Sequence, residues 1–184
     1  MRLCDVTSNQ TGPLIGGTFG LIFIQANAGD LPSAIAIPLR ALGAAAFLGL
    51  LAALRRAPAP RTTGTPQRTF GRGYWLVVAA EVIAAAAGFF VIISVLHAPH
   101  ATVGWIALVV GVHFFGLAAV WRMAALRLLA AGMSLCGAAG LVLAACGSSP
   151  AVIAAVAGIA PGALLLASVW RSALAKPALQ DTPA

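Results

Sequence analysis

Charge is scarce in this chain. Asp, Glu, Lys and Arg supply 8% of the 184 residues, hydrophobic residues supply 61%, and the mean hydropathy is +0.99. A water-soluble domain of this length could not cover its surface with so few polar groups, so a soluble globule is excluded and a bilayer becomes the solvent. Only three cysteines are present. Cys4 lies in the N-terminal tail, and Cys136 and Cys146 are ten residues apart on one predicted helix, roughly 15 Å along its axis, too far for a mutual disulfide. The stretch Leu143–Gly147 resembles a lipoprotein processing box, but it follows five other hydrophobic segments and is read as coincidence. Met1–Gln10 is polar, and no separate cleavable signal peptide is expected. The chain carries no metal-ligand set, Ser–His–Asp arrangement, phosphate loop or haem motif. Most enzyme chemistries are thereby excluded, and neither cofactor nor metal is expected.

Long apolar runs are what the chain has instead. A helical crossing takes about 20 apolar residues, and six segments qualify: 13–29, 33–54, 74–96, 101–120, 128–146 and 150–170. The expected fold is therefore all-α, one integral membrane bundle of six transmembrane helices. Residues 1–12 and 171–184 form its tails and 55–72 an Arg-rich loop. Ten of the eleven Lys/Arg residues lie outside the spans or at their ends: Arg2, Arg55, Arg56, Arg61, Arg68, Arg72, Arg122, Arg127, Arg171 and Lys176. With six spans and a cytoplasmic N-terminus, all ten fall on one side, which predicts that both termini are cytoplasmic. The net charge of +7 then reflects topology rather than nucleic-acid binding. Ala-rich, Arg-over-Lys composition points to a bacterium, hence a multi-pass protein of the inner (cell) membrane with the lipid bilayer as its first partner. The arginines of the 55–72 loop set topology, with contact to anionic lipid as the sharper reading.

Several local signals organise the spans. Gly12, Gly16 and Gly20 repeat every fourth residue on one helix face, a spacing that lets another backbone approach closely in lipid. Asn27-Ala-Gly-Asp30-Leu-Pro32 reads as a turn. Pro38 and Pro161 are expected to bend the second and sixth helices. Trp121-Arg122 and Trp170-Arg171 read as interfacial anchors. The fifth and sixth helices look like featureless packing and lipid-facing elements rather than the chemical centre.

Three ionisable groups interrupt the apolar runs: Arg40, Glu81 and His113. A charge at the bilayer centre costs roughly 2.5–3.5 kcal/mol on insertion scales, so such groups usually face a protein interior or cavity. Glu81 lies seven residues past Tyr74 and His113 seven before Val120, each about 10–12 Å inside. The short His97–His100 loop joins their helices as antiparallel neighbours, so the two groups should share a depth. Arg40 lies a similar distance from the opposite surface. With Gln25 and Asn27 above it, a polar track is expected from those residues through Arg40 to Glu81 and His113. Beside an arginine Glu81 stays ionised, whereas alone in apolar surroundings it takes up a proton. Ala84, Ala85 and Gly88 share the Glu81 face and leave room for a helix or a ligand. The bland reading is a structural Arg40–Glu81 ion pair with His113 bonded to a backbone carbonyl. His97 and His100 make a weak metal pair without a third ligand.

The run Phe70-Gly-Arg-Gly-Tyr-Trp75 leading to Ala80-Glu81, followed by Gly111-Val-His113-Phe114-x-Gly-Leu-Ala118, resembles a group of small uncharacterised bacterial polytopic membrane proteins. In that group a Gly-x-His-Phe-x-Pro-Leu-Ala helix follows a Glu-bearing helix; here Gly116 stands in place of the proline. The likeness covers mainly residues 70–122. It implies architecture and singles out Glu81 and His113 without supplying a reaction.

Three functions fit these residues. In a proton-coupled transporter or efflux protein for a small lipophilic or cationic molecule, Glu81 binds the proton, Arg40 is its switchable partner and His113 relays; Gln25 and Asn27 line the route. Six helices are few for a transporter, so a homodimer is the expected assembly. In an intramembrane enzyme, Glu81 or His113 is the catalytic general acid on an isoprenoid-like substrate, with aromatic faces holding the cation. In a noncatalytic partner subunit the polar groups only fix helix register.

Overall fold

The computed structural model describes residues 11–56 and 71–174. Cys4, Arg2, Arg61, Arg68, Phe70, Lys176 and most of the expected tails and Arg-rich loop lie outside them. All secondary structure among the described residues is helical. Helix α1 spans Thr11–Asn27 and runs into a 3₁₀ turn at Ala28–Asp30; α2 spans Ser33–Arg56. Helix α3 covers Arg72–Val95, its last five residues in a π turn, and α4 spans Ala101–Trp121. Helix α5 spans Ala124–Ala145, and α6 runs Pro150–Leu174 with a π turn at Ala154–Ile159. A helix thus occupies each of the six apolar segments. Helices α2 to α6 are long and apolar enough to cross a membrane, whereas α1 has 17 residues. The chain is a helical, multi-pass membrane protein.

Lipid tails are as apolar as leucine, so helices in a bilayer associate through close packing rather than through water exclusion. Glycine makes that possible here. The α4–α5 seam is the tightest in the bundle. Along it a methyl group on Gly104 would lie 2.8 Å from the Leu141 nitrogen, and one on Gly137 would overlap the Leu108 backbone. Helix α5, one of the two that read as featureless, is therefore part of the frame. The Gly16–Gly20 face of α1 meets α6, with Gly20 and Gly162 each opposite the other's carbonyl oxygen. Phe23, Ala107, Met133 and Leu165 close the centre where α1, α4, α5 and α6 converge.

Pro161 lacks the N–H of an ordinary helical residue, and the π turn immediately before it absorbs the mismatch. The turn exposes Gly158 to α1, where the buried Asn27 side chain fills the space a methyl would need. Helix α2 continues unbroken through Pro38.

These contacts also fix helix polarity. Gly104 meets Leu141 while Gly111 meets Ser134, so α4 and α5 are antiparallel; Gly16 meets Val169 while Gly20 meets Gly162, so α1 and α6 are too. Around the bundle this alternation brings Arg55, Arg56, Arg72, Arg122, Arg127 and Arg171 to one end. The two tryptophan anchors do more than mark an interface. Trp170 donates its indole N–H to the Ala46 carbonyl of α2 at 3.0 Å, and Trp121 stacks on Tyr74 with centroids 6.1 Å apart.

The glycine seam makes a direct prediction. Gly137→Val forces α4 from α5 and costs stability at the upper end of the roughly 1–3 kcal/mol typical of overpacked cores. Ala138→Val, on the exposed face of the same helix, leaves the melting temperature in detergent unchanged. Equal melting temperatures for the two variants would refute the seam.

Candidate functional site

Helices α3 and α4 form an antiparallel hairpin whose rungs can be followed from end to end. At the arginine-bearing end, Gly73 faces Val120 and Tyr74 stacks on Trp121. One turn further, Val77 packs against Gly116, where a methyl would come within 2.8 Å of its Cγ1. The next rung is Glu81 with His113. Beyond it Trp105 lies across Gly88, where no side chain fits, and donates its indole N–H to the Ala84 carbonyl at 3.2 Å. Glycine at 88 and 116 brings the helices close on both sides of the polar rung. Gly116 is therefore a packing residue in this chain.

Glu81 Oε2 and His113 Nδ1 are 3.0 Å apart. The ring nitrogen is buried, yet its N–H does not line up with the oxygen as a hydrogen bond, so the contact is one of charge and proximity. The side chains are 12% (His113) and 24% (Glu81) exposed, so the carboxylate is the part of the site that the surroundings can reach. Glu81 is the chain's one glutamate. A carboxyl and an imidazole at this separation can share one proton, held by either partner, and can pass it to a third group.

The other predicted site residues lie elsewhere. Arg40 does not reach Glu81, and the expected track through it is not formed. Its guanidinium donates to the Gln25 carbonyl at 3.2 Å, while the Gln25 amide donates back to the Arg40 carbonyl at 2.9 Å. The last carbonyls of a helix lack intrahelical partners and carry the negative end of its dipole. Arg40 therefore caps α1, and its exposed side chain clamps α1 to α2. Asn27 donates to the Phe23 carbonyl at 2.8 Å and packs on the π turn of α6. Glu81 and His113 form the only ion pair among the described residues.

Among the described residues no three His, Cys, Asp or Glu side chains gather as a metal site. His97 lies exposed at the end of α3 with φ 52° and its Nδ1 3.2 Å from the Val95 carbonyl. Cys136 and Cys146 are free thiols. Three features escaped the sequence reading: the Trp105 indole over Gly88, the Tyr74–Trp121 stack, and an apolar cleft of about 770 Å³ between α3, α4 and α5. Gly88 and Gly116, set opposite bulky residues by the hairpin register, were the available signal for the packing.

Fold and site together define a helical membrane protein with one intramembrane carboxyl–imidazole pair. Comparison of the chain with protein-family models, with curated proteins and with solved structures found no match.

If the pair interacts, its two replacements are not independent. A double-mutant cycle of Glu81→Gln and His113→Gln on thermal stability in detergent gives a coupling of roughly 1–2 kcal/mol, whereas simple additivity would show that the groups do not interact. Gly88→Ala displaces the Trp105 indole. The emission of a variant retaining only that tryptophan then shifts, while Ala86→Gly, on the exposed side of α3, leaves it unchanged.

Proposed function

We propose that this protein is a proton-coupled carrier of a small lipophilic or cationic molecule, with Glu81 and His113 as its proton-binding pair. The observation that carries this reading is the 3.0 Å contact between the two groups, nine residues from the start of α3 at Arg72 and eight from the end of α4 at Trp121. An ionisable residue inside a membrane span is costly and is by default a functional candidate. Proton uptake neutralises the carboxylate and weakens its hold on the imidazole, which is the switching step such a carrier needs. Arg40, occupied in capping α1, takes no part.

Helix α3 is the element suited to move. No residue of its α-helical part is buried, and α4 is its one substantial neighbour. The rest of the bundle is locked by glycine seams. In this account α1 is the sixth span; its 17 residues reach about 25 Å, near the thickness of a hydrocarbon core. The arginine-bearing end is cytoplasmic by the positive-inside rule, with both termini on that side. The membrane is a bacterial inner membrane, following the chain's composition and its resemblance to small bacterial polytopic proteins. Six helices are few for a carrier, and a homodimer supplies the missing wall.

The apolar cleft beside the polar rung favours a second reading. An intramembrane enzyme would use Glu81 or His113 as general acid on a lipophilic substrate held there. Turnover in detergent without a gradient distinguishes it from a carrier.

The carrier reading predicts that a protonated-carboxyl infrared band appears on acidification in proteoliposomes and is lost in Glu81→Gln. With ethidium as a test lipophilic cation, a pH gradient drives its movement through the wild type but not through Glu81→Gln. A band unaffected by the substitution, or equal ethidium movement in both, would contradict the reading.

A further inference from the structure

Helix α3 is held very differently at its two ends. Away from the arginines, three ties act within a short stretch. Trp105 lies across Gly88 and donates its indole N–H to the Ala84 carbonyl at 3.2 Å. Ile92, inside the π turn, is the one buried residue of the helix. The connection to α4 then folds back on that turn, where the Ala98 N–H donates to the Ile92 carbonyl at 3.0 Å. At the arginine-bearing end α3 meets α4 through Gly73 on Val120 and the stacked rings of Tyr74 and Trp121, whose planes are inclined by 16°. No residue from Arg72 to Phe90 is buried.

A rod tied at one end and stacked at the other swings about the tie. The π turn at Val91–Val95 interrupts the regular helical ladder just beyond Gly88, and hinges form where a few residues near the end of an element can absorb the change. We propose that α3 is a hinged arm. It pivots between Gly88 and the π turn, and the Tyr74–Trp121 stack is the latch that holds its arginine-bearing end against α4. Along the helix the latch lies about 21 Å from Gly88 and Glu81 about 10 Å, so the carboxyl moves half as far as the rings. Opening the latch by about 6 Å then parts Glu81 from His113 by about 3 Å, which doubles their 3.0 Å separation. The space so formed faces the arginine-bearing end, while Trp105 keeps the other end shut. Water therefore reaches the carboxyl from one side only. As a gate for protons the arm rests on the function proposed above, whereas the arm itself stands on these contacts alone.

The test uses the full chain in proteoliposomes, with Cys4, Cys136 and Cys146 replaced by serine. Nitroxide pairs at exposed positions report the two ends: Leu76 with Leu128 near the latch, Val95 with Val142 near the pivot. Trp121→Ala is expected to lengthen the first distance by about 5 Å, the displacement of Leu76 when the rings open by about 6 Å, and to leave the second unchanged. Tyr74→Ala undoes the stack from the other ring and gives the same result. Trp121→Phe keeps an aromatic face for Tyr74 and leaves both distances at their wild-type values. For access, Glu81→Cys is treated from either side with a charged, membrane-impermeant methanethiosulfonate. Reaction comes from the arginine-bearing side, and adding Trp121→Ala makes it about tenfold faster, the scale of one lost ring stack. Equal lengthening at both ends would show that α3 leaves as a whole, and an unchanged Leu76–Leu128 distance that it does not swing; either overturns the arm. Reaction of the Glu81→Cys variant from the opposite side overturns the gate. Neither readout depends on a proton, so pH-driven ethidium movement can fail while the arm holds, and the arm can fail while that movement persists.

Discussion

A carboxylate placed in hydrocarbon needs a partner, and the helix that carries Glu81 offers none of its own. The contact with His113 meets that need and orders the features around it. The contact requires α3 and α4 to be antiparallel and in one register, which the short connection at His97–His100 provides. It requires the helix axes to be close on either side, which Gly88 and Gly116 provide by accepting Trp105 and Val77. It also requires α4 to be a fixed wall, which the glycine seam with α5 provides. The polar rung is thus mounted between a rigid scaffold and a helix held on one side only.

That asymmetry gives the site its chemical character. His113 belongs to the rigid half and is the more buried partner; Glu81 belongs to the loosely held helix and is the more accessible one. In the proposed carrier, motion of α3 parts the carboxyl from the imidazole, which stays with the rigid half. In that carrier a proton on the pair and the position of α3 are two expressions of one equilibrium, because any group that binds one arrangement better shifts the other. The second half of the bundle, α1, α2 and α6, adds to its Gly20–Gly162 contact three polar ties: the Gln25–Arg40 clamp, the Trp170 bond to α2, and Asn27 seated on the π turn of α6. Its polar groups are satisfied within those ties, and this separates a structural arginine from a chemical carboxylate in one molecule.

Much of this was legible in the residues, and the divide has a physical basis. Apolar length located the helices, five of which are long and apolar enough to cross a membrane, because the bilayer imposes a minimum span. Helical rise placed Glu81 and His113 at one height, and the short connection made them neighbours. Rise gives depth but not azimuth, so the same counting drew Arg40 toward Glu81 when its helix faces α1. Azimuth is ordinarily read from an amphipathic stripe, and helices that are apolar all round carry none. The Gly16–Gly20 repeat on α1 was readable as a contact face. The α4–α5 seam was not, because its glycines are spread over two helices and act only in opposition. The cleft could not be anticipated, since it arises where α3 and α5, both packed on α4, do not meet each other.

The site depends on the proximity of one carboxyl to one imidazole in a lipid environment. Solid-state NMR of the chain in bilayers measures that proximity directly, since Glu81 is the one glutamate and a ¹³Cδ label there is unique. With ¹⁵N-labelled histidine, a through-space cross-peak between that carbon and the His113 ring is predicted, in keeping with the 3.0 Å separation of their polar atoms. A Glu81 carboxyl carbon that correlates with lipid methylenes and with no histidine nitrogen would contradict it.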